Sequence, residues 1–201
     1  MPKRVDHQER RTRIAEALFR VAADRGLEAV SLRHVAAEAG VSSGMVQHYF
    51  RTKDEMMIFA IQVVRENVEA RLVAEEERTG EPTSQAGLIR ALLVQLLPFD
   101  ETRRIEGSVS LAFLAYAAVR PAVAEVLRED TARMHEMVAG LIRSAQDDGT
   151  APTTVDPVQA ATGLLALFEG LGLHTLGGHY PPETALAAFD AHLRMVFGPA
   201  D

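Results

Sequence analysis

Between Ser42 and Lys53 the chain concentrates side chains that can hydrogen-bond to a planar or an anionic partner. Gln47 carries an amide that both donates and accepts, His48 an imidazole, and Lys53 an ammonium group. Such an amide can pair bidentately with adenine, and ammonium groups bind phosphate. These residue types predict contact with a nucleic acid if the backbone presents them together.

Two short helices separated by a tight turn are predicted to present these side chains. Ser31 and Ser42 can cap the two helices, and Gly40 can end the first because glycine enters left-handed backbone space without a Cβ penalty. Ala36 and Val46, four residues before and six after this glycine, complete the spacing of a helix-turn-helix, which lays its second helix in the DNA major groove. Any one of these residues alone would favour an ordinary helical hairpin instead.

The polar side chains of this segment are assigned to bases or phosphates by their chemistry. Gln47 and His48 are predicted to contact base edges, and Met45 a thymine methyl group. Gly44 is expected where the backbone approaches DNA or the first helix closely. For His48 and Tyr49, partial burial against the first helix is the alternative to contact with DNA. The predicted DNA-binding set is Ser31, Arg33, Ser42, Ser43, Met45, Gln47, His48, Tyr49 and Lys53.

Charge is distributed unevenly along the chain. The net charge is −7, yet residues 1–55 hold ten Lys and Arg against eight Asp and Glu, which leaves 11 basic and 20 acidic residues for the remainder. A basic amino-terminal part and an acidic remainder favour a small DNA-facing head on a body that phosphate repels. Near the start, Arg4, Arg10, Arg11 and Arg13 could reach phosphate or the minor groove, or simply form a solvated helix start.

Other classes of function find little support. The chain has no cysteine, and its histidines lie in no HExxH or comparable motif. His174 and His179 are five residues apart, which is not a same-face spacing on a helix. We therefore predict no catalytic residue, no metal and no cofactor, and a small helical enzyme is the weaker alternative. The charged start and short apolar runs predict a cytoplasmic location and no membrane partner.

The hydrophobic periodicity is helical throughout, with no run of period-two alternation. Asp6 and Glu9 can form a capping box for the first helix, which is predicted to end at Gly26, and Thr52 and Glu55 can do the same for the long helix after the head. About nine helices and no sheet are expected, those beyond the head at about 53–78, 84–98, 101–118, 121–147, 156–177 and 182–197.

The first 55 or so residues resemble the DNA-binding domain of the TetR family of transcriptional regulators. The matching residues are Gly26, Val35, Ala36, Gly40, Val41, Ser42, Gly44, Tyr49, Phe50, Lys53, Asp54 and Glu55. The resemblance implies an all-α fold, with a three-helix head at 1–52 and a helical ligand-binding and dimerisation body at 53–201, connected by the helix at 53–78. It also supports Lys53 as a phosphate contact. Gln47 stands where many members carry tyrosine.

The resemblance further implies a sequence-specific regulator, usually a repressor, that binds a palindromic operator as a homodimer and is released by a small-molecule effector. The content of Leu, Met and Phe favours a largely hydrophobic ligand. A ligand-blind, dimeric DNA-binding scaffold is the alternative. The predicted ligand-binding residues, which could equally be core, are Phe113, Tyr116, Met134, Met137, Phe168 and Glu169.

The helix predicted at 156–177 is apolar nearly all round, so it should be buried on both sides. One side would face the body and the other a partner subunit, together with the last helix. A central core helix within a monomer is the alternative. The predicted dimer contacts are Leu167, Gly170, Leu171, His174, Ala188, Ala191 and Met195.

Overall fold

The computed structural model describes residues 2–79 and 84–198, and within them the side chains from Glu9 onward except those at positions 27 and 79. Every regular element in these ranges is helical, which confirms the all-α prediction. The nine helices of the described ranges are α1 (Pro2–Arg25), α2 (Leu32–Glu38), α3 (Ser43–Tyr49), α4 (Lys53–Thr79), α5 (Gln85–Val94), α6 (Glu101–Ala117), α7 (Pro121–Asp147), α8 (Pro157–Leu176) and α9 (Pro182–Phe197), with a short 3₁₀ turn at Leu27–Ala29.

Most helix ends lie where local sequence signals predict them. The Asp156 carboxylate accepts a hydrogen bond from the Gln159 N–H over 2.8 Å, and proline follows it as the first residue of α8. Ser84 caps α5 in the same way, accepting from the Gly87 N–H over 3.1 Å. These bonds satisfy backbone donors that have no partner within the helix.

Two helix boundaries differ from the prediction. Helix α1 begins at Pro2, four residues before Asp6, so the predicted capping box does not mark its start; the Asp6 side chain lies outside the described residues. Helix α5 ends at Val94 rather than near residue 98. The cause is Pro98, whose ring would clash with the Val94 carbonyl in a continuing helix, so the chain leaves α5 through a tight turn.

The chain divides into two compact units. The first contains the residues up to Asn67 together with Ile105–Val126. Its buried side chains include Leu18, Val35, Val46 and Phe50 from the first half of the unit and Val123 of α7; the buried residues of α6 are Glu106, Val109, Phe113, Tyr116 and Ala117.

The second unit contains Val68–Arg104 and the chain from Leu127 onward. Its core is formed by apolar side chains of α5, α7, α8 and α9, and the rings of Phe168 and Phe189 meet edge to face with centroids 6.1 Å apart. Bidentate hydrogen bonds from Arg90 to Asp190 join α5 to α9 at the surface of this unit. No helix in the described ranges combines the length and the apolar character needed to cross a membrane.

Candidate nucleic-acid interface

The segment from Ser31 to Tyr49 forms the predicted helix, turn and helix. The Ser31 hydroxyl accepts from the His34 N–H over 3.2 Å and caps α2, and the Ser42 hydroxyl accepts from the Met45 N–H over 3.1 Å and caps α3. Between them Gly40 has φ +68°, the left-handed conformation that the tight turn requires. Both helices therefore start and stop at residues fixed by local chemistry.

Packing decides which side of α3 is exposed. Val46 and Phe50 are fully buried, and the side chains of Val35 and Ala36 in α2 are at most 1% exposed. One and two residues after Val46, the side chains of the predicted base-contacting pair point to solvent; the exposed residues of α3 are Ser43, Gly44, Met45, Gln47 and His48. A short helix anchored by apolar residues at i and i+4 thus presents an amide and an imidazole on its free side.

Gly44 lies on this exposed side. A Cβ built at Gly44 would meet only the Ser42 hydroxyl, at 3.9 Å, so close packing against the first helix does not explain the glycine. Tyr49 is half-buried, and its ring meets the His48 ring edge-on with centroids 5.3 Å apart. The helix α3 therefore has a flat, small-residue start and an aromatic end.

Helix α4 opens immediately after this segment. Thr52 accepts from the Glu55 N–H over 3.1 Å, and the Glu55 carboxylate accepts from the Arg51 N–H over 2.7 Å, so the reciprocal arm of the predicted capping box reaches Arg51. Lys53 is the first residue of α4, at the positive end of the helix dipole. Burial lowers the pKa of Lys53, and the Arg120 guanidinium is the next cause, while the Asp54 and Glu28 carboxylates act in the opposite direction. An anion bound beside Lys53 would favour its charged form.

The basic residues at the start of α1 have different environments. Arg11 stacks on two aromatic rings of the first unit. Its guanidinium carbon is 4.1 Å from the Phe59 ring centroid and 5.1 Å from that of Phe50. Its Nε is buried and has no hydrogen-bond partner among the described residues. Arg11 is therefore a packing residue. Arg13 lies 3.6 Å from the exposed Glu9 carboxylate.

Comparison with known proteins identifies the family. A family model described as bacterial regulatory proteins of the tetR family matches residues 14–58, which include α2 and α3. A second, described as the C-terminal part of BetI-type transcriptional repressors, matches residues 85–198, more than half of the chain. The chain belongs to the TetR family. It is a DNA-binding transcriptional regulator of the repressor type.

Relatives and solved structures agree with this membership. The regulator PksA of Bacillus subtilis is 34% identical over 176 residues, which cover 88% of this chain and 83% of that protein. The structure of a transcriptional regulator from Rhodococcus superimposes with a TM-score of 0.78 at 39% identity, covering 92% of this chain and 95% of that one. A regulator from Saccharomonospora viridis, solved in complex with choline, has a TM-score of 0.79 at 27% identity, with 93% and 96% covered.

The predicted ligand-binding residues of this TetR-family regulator are distributed between the two compact units. Phe113 and Tyr116 are buried in the first unit, and the Tyr116 hydroxyl donates to Asp54 near the start of α4. The other four belong to the second unit: Phe168 is buried in its core, Met134 packs against that core, and Met137 and Glu169 are exposed.

The predicted dimer residues all retain some exposure in the single chain. Met195 is 75% exposed and His174 is exposed, while Leu167, Gly170, Leu171, Ala188 and Ala191 are half-buried. Beside them Leu173, which the prediction omitted, is 49% exposed. A Cβ at any of the three glycines of α8, Gly163, Gly170 and Gly172, would meet no described atom within 4 Å. Packing within the described chain therefore does not account for these glycines.

Two further contacts were missed by sequence reasoning. Glu106 is a carboxylate only 5% exposed, and its Oε1 accepts from the Asn67 amide over 2.8 Å. Helical spacing could have found it, because Glu106 precedes Val109 and Phe113 by three and seven residues on one face. The Nδ1 atoms of His174 and His179 lie 2.8 Å apart.

A five-residue spacing on one continuous helix would place His174 and His179 on different faces, but the helix does not continue to His179. Helix α8 ends at Leu176, and Gly178, at φ +72°, turns the chain so that His179 returns to His174. The His174 ring also stacks on Tyr180, nearly parallel at 5.9 Å. Among the described residues no group of three or more His, Cys, Asp or Glu side chains is arranged to hold a metal ion.

Proposed function

We propose that this regulator represses transcription by binding a palindromic operator as a homodimer, and that a small, largely hydrophobic ligand releases it. Residues 1–52 form the DNA-binding part and residues 53–201 the ligand-binding and dimerisation part, with α4 connecting them. The observation that carries the DNA-binding half is the anchoring of α3. Its buried Val46 leaves Gln47 and His48 exposed on a helix capped by Ser42.

The proposed contacts divide into two kinds. Gln47 and His48 read base edges and Met45 meets a thymine methyl, because their side chains project from the exposed side of α3. Phosphate contacts position the helix without reading sequence, and they are assigned to Ser31, Arg33, Ser42, Tyr49 and Lys53. Lys53 is the strongest of these, since the helix dipole and its own charge attract the same anion.

The homodimer is supported by apolar surface on α8 and α9. Leu173 and Met195 are exposed on helices whose opposite sides form the core of the second unit. A large exposed apolar surface on a globular protein favours association, and glycines allow two helix backbones to approach closely. Covering this surface with the same surface of a second copy gives the two-fold symmetry that a palindromic operator requires.

The ligand half of the proposal is supported by composition and by a similar protein. The Saccharomonospora viridis regulator was solved with choline, a small organic cation, which favours a small-molecule site in the body of this chain as well. Met134 and Phe168 in the second unit provide the apolar contacts that such a site needs. Ligand would bind more tightly to a dimer conformation in which the two DNA-binding heads are wrongly spaced for the operator. The free energy by which the ligand favours that conformation is then lost from operator binding.

The test is selection of bound sequences from random double-stranded DNA by the purified full-length protein. An enriched palindrome with half-sites about 34–36 Å apart, or a multiple of that distance, is expected. The enriched site then serves to measure release by choline and by more hydrophobic organic cations. No enrichment at low salt would contradict the proposal. Enrichment that no ligand reverses would favour the ligand-blind scaffold.

A further inference from the structure

Four side chains from distant parts of the chain meet at the start of α4, and all belong to the first compact unit. Lys53 and Asp54 open α4, Tyr116 lies near the end of α6, and Arg120 directly precedes α7. The Tyr116 hydroxyl donates to Asp54 Oδ1 over 2.5 Å, and Arg120 Nε lies 3.5 Å from the same oxygen. The Asp54 carboxylate is therefore held by groups that follow it by more than 60 residues.

The Tyr116 ring also lies beside two cations. The Arg120 guanidinium carbon is 3.9 Å from the ring centroid, and Lys53 Nζ is 5.3 Å from it. Both distances are within the range of cation–π attraction. The tyrosine thus touches the carboxylate through its hydroxyl and the Lys53 ammonium through its ring.

A carboxylate next to a phosphate-binding lysine opposes DNA binding in two ways. It repels the phosphate, and it can pair with the ammonium group that should bind the phosphate. Asp54 and Lys53 are adjacent in sequence, so the direction of the Asp54 side chain affects how strongly the two charges interact. Burial raises the pKa of Tyr116 to about 12, and the hydrogen bond to Asp54 is the next cause, so the hydroxyl stays protonated and remains a donor at neutral pH.

We propose that Tyr116 is a positioning residue for the phosphate contact of Lys53. By holding the Asp54 carboxylate toward itself and Arg120, it limits how closely that carboxylate approaches the Lys53 ammonium. Tyr116 acts through Asp54 and need not touch DNA. The inference rests on the DNA-binding function proposed above and extends the interface to α6, far in sequence from the helix-turn-helix.

The test compares Tyr116→Phe, Asp54→Asn and the double variant in full-length protein without ligand. Affinity is measured on the selected operator and on a scrambled duplex over a range of salt concentrations. Tyr116→Phe is expected to weaken both DNAs alike, by about 3- to 10-fold, and to lower the slope of log affinity against log salt by up to about 0.9 for each lost phosphate contact. Adding Asp54→Asn is expected to raise affinity by a larger factor in the Tyr116→Phe protein than in the unaltered protein, because only there is the carboxylate released to compete for Lys53.

Two further variants complete the design. Tyr180→Phe removes a tyrosine hydroxyl in the second unit and should leave the salt slope unchanged. Arg120→Gln, on a half-exposed side chain, removes the second group that holds Asp54 and should weaken DNA binding in the same direction, again with a larger gain from Asp54→Asn than in the unaltered protein. It provides the same test if Tyr116→Phe lowers the thermal midpoint enough to impair folding.

A merely structural role for Tyr116 predicts a different pattern. Asp54→Asn would then raise affinity by the same factor in the Tyr116→Phe protein as in the unaltered protein, and that additivity would overturn the inference. Equal affinity and salt slope for Tyr116→Phe and the unaltered protein would overturn it as well, while leaving the proposed function intact. Absence of DNA binding by the unaltered protein would instead overturn the proposed function, and the inference with it.

Discussion

Helix α3 and the helix pair α8–α9 both expose side chains that folding of the single chain does not require, but the side chains are of opposite kinds. Helix α3 exposes polar Gln47 and His48 directly after buried Val46. Helices α8 and α9 expose apolar Leu173 and Met195. Polar groups exchange water for base edges and back at small net free energy, whereas exposed apolar surface is best covered permanently. The proposed function makes the first surface a reversible interface and the second a permanent one.

The two regions also differ in how their exposed positions are fixed. In the head, two serine caps and Gly40 determine where α2 and α3 begin and end, so the rotation of α3 follows from a few local bonds. In α8, apolar residues occur on nearly every side, and burial of Leu164 and Leu165 rather than Leu173 follows from packing against other helices. The second case depends on tertiary contacts that local sequence does not contain.

The largest expected effect comes from placing a charge on the apolar surface of α8. Leu173→Glu should convert a dimer to a monomer, because an unpaired carboxylate would be buried at the subunit contact. Loss of the second DNA-binding head should weaken operator binding by about 10²-fold or more. Sedimentation equilibrium and operator titration measure the two effects.

Val73→Glu is the matched control for this change. Val73 lies on α4 and is 54% exposed, close to the 49% of Leu173. Val73→Glu should leave both the mass of the dimer and its affinity for the operator unchanged. A Leu173→Glu protein that remains dimeric and binds the operator normally would remove the distinction between the permanent and the reversible surface.

An intermediate effect is expected within the DNA-facing surface itself. Gln47→Ala should weaken the selected operator by about 1–3 kcal/mol and leave scrambled DNA nearly unaffected, because a bidentate base contact is lost. Lys53→Ala should weaken both duplexes by similar factors and reduce the salt dependence. Competition binding on the two duplexes measures the difference. Equal losses on both DNAs for both variants would mean that α3 does not read sequence through Gln47.

The sequence allows the helices to be predicted because their ends depend on neighbouring residues. Proline and a capping aspartate place the start of α8, and serine caps place α2, α3 and α5. The end of α5 could have been predicted from Pro98, because in a regular helix its ring would clash with the carbonyl of Val94, four residues earlier. The exposed side of α3 was predictable for the same reason, since its buried positions follow helical spacing.

Contacts between residues far apart in the chain could not be predicted in this way. Arg11 is of a residue type that commonly contacts phosphate, yet its guanidinium is stacked on Phe59, 48 positions later. Tyr116 was assigned to a ligand site from the apolar stripe of α6, but its hydroxyl meets Asp54, 62 positions earlier. In both cases the side-chain type suits several environments, and only the tertiary fold selects one.

The smallest expected effect compares the caps of the two regions. Ser42→Ala removes the acceptor for the Met45 N–H, and Asp156→Ala removes that for the Gln159 N–H, so each should cost about 1 kcal/mol of stability. Ser84→Ala is a closer chemical control, because Ser84 makes a cap bond of the same 3.1 Å length on α5. Thermal or urea unfolding measures all three losses.

Only Ser42→Ala should also weaken DNA binding under conditions where every variant is folded, because Ser42 belongs to the predicted DNA-binding set and caps the helix proposed to enter the groove. Asp156→Ala and Ser84→Ala should retain full affinity, since neither residue belongs to the predicted DNA-binding set. If Asp156→Ala weakened operator binding as much as Ser42→Ala, the cap of α8 would be coupled to the DNA-binding head. The exposed surface of α3 and that of α8–α9 would then be energetically coupled rather than separately stabilised.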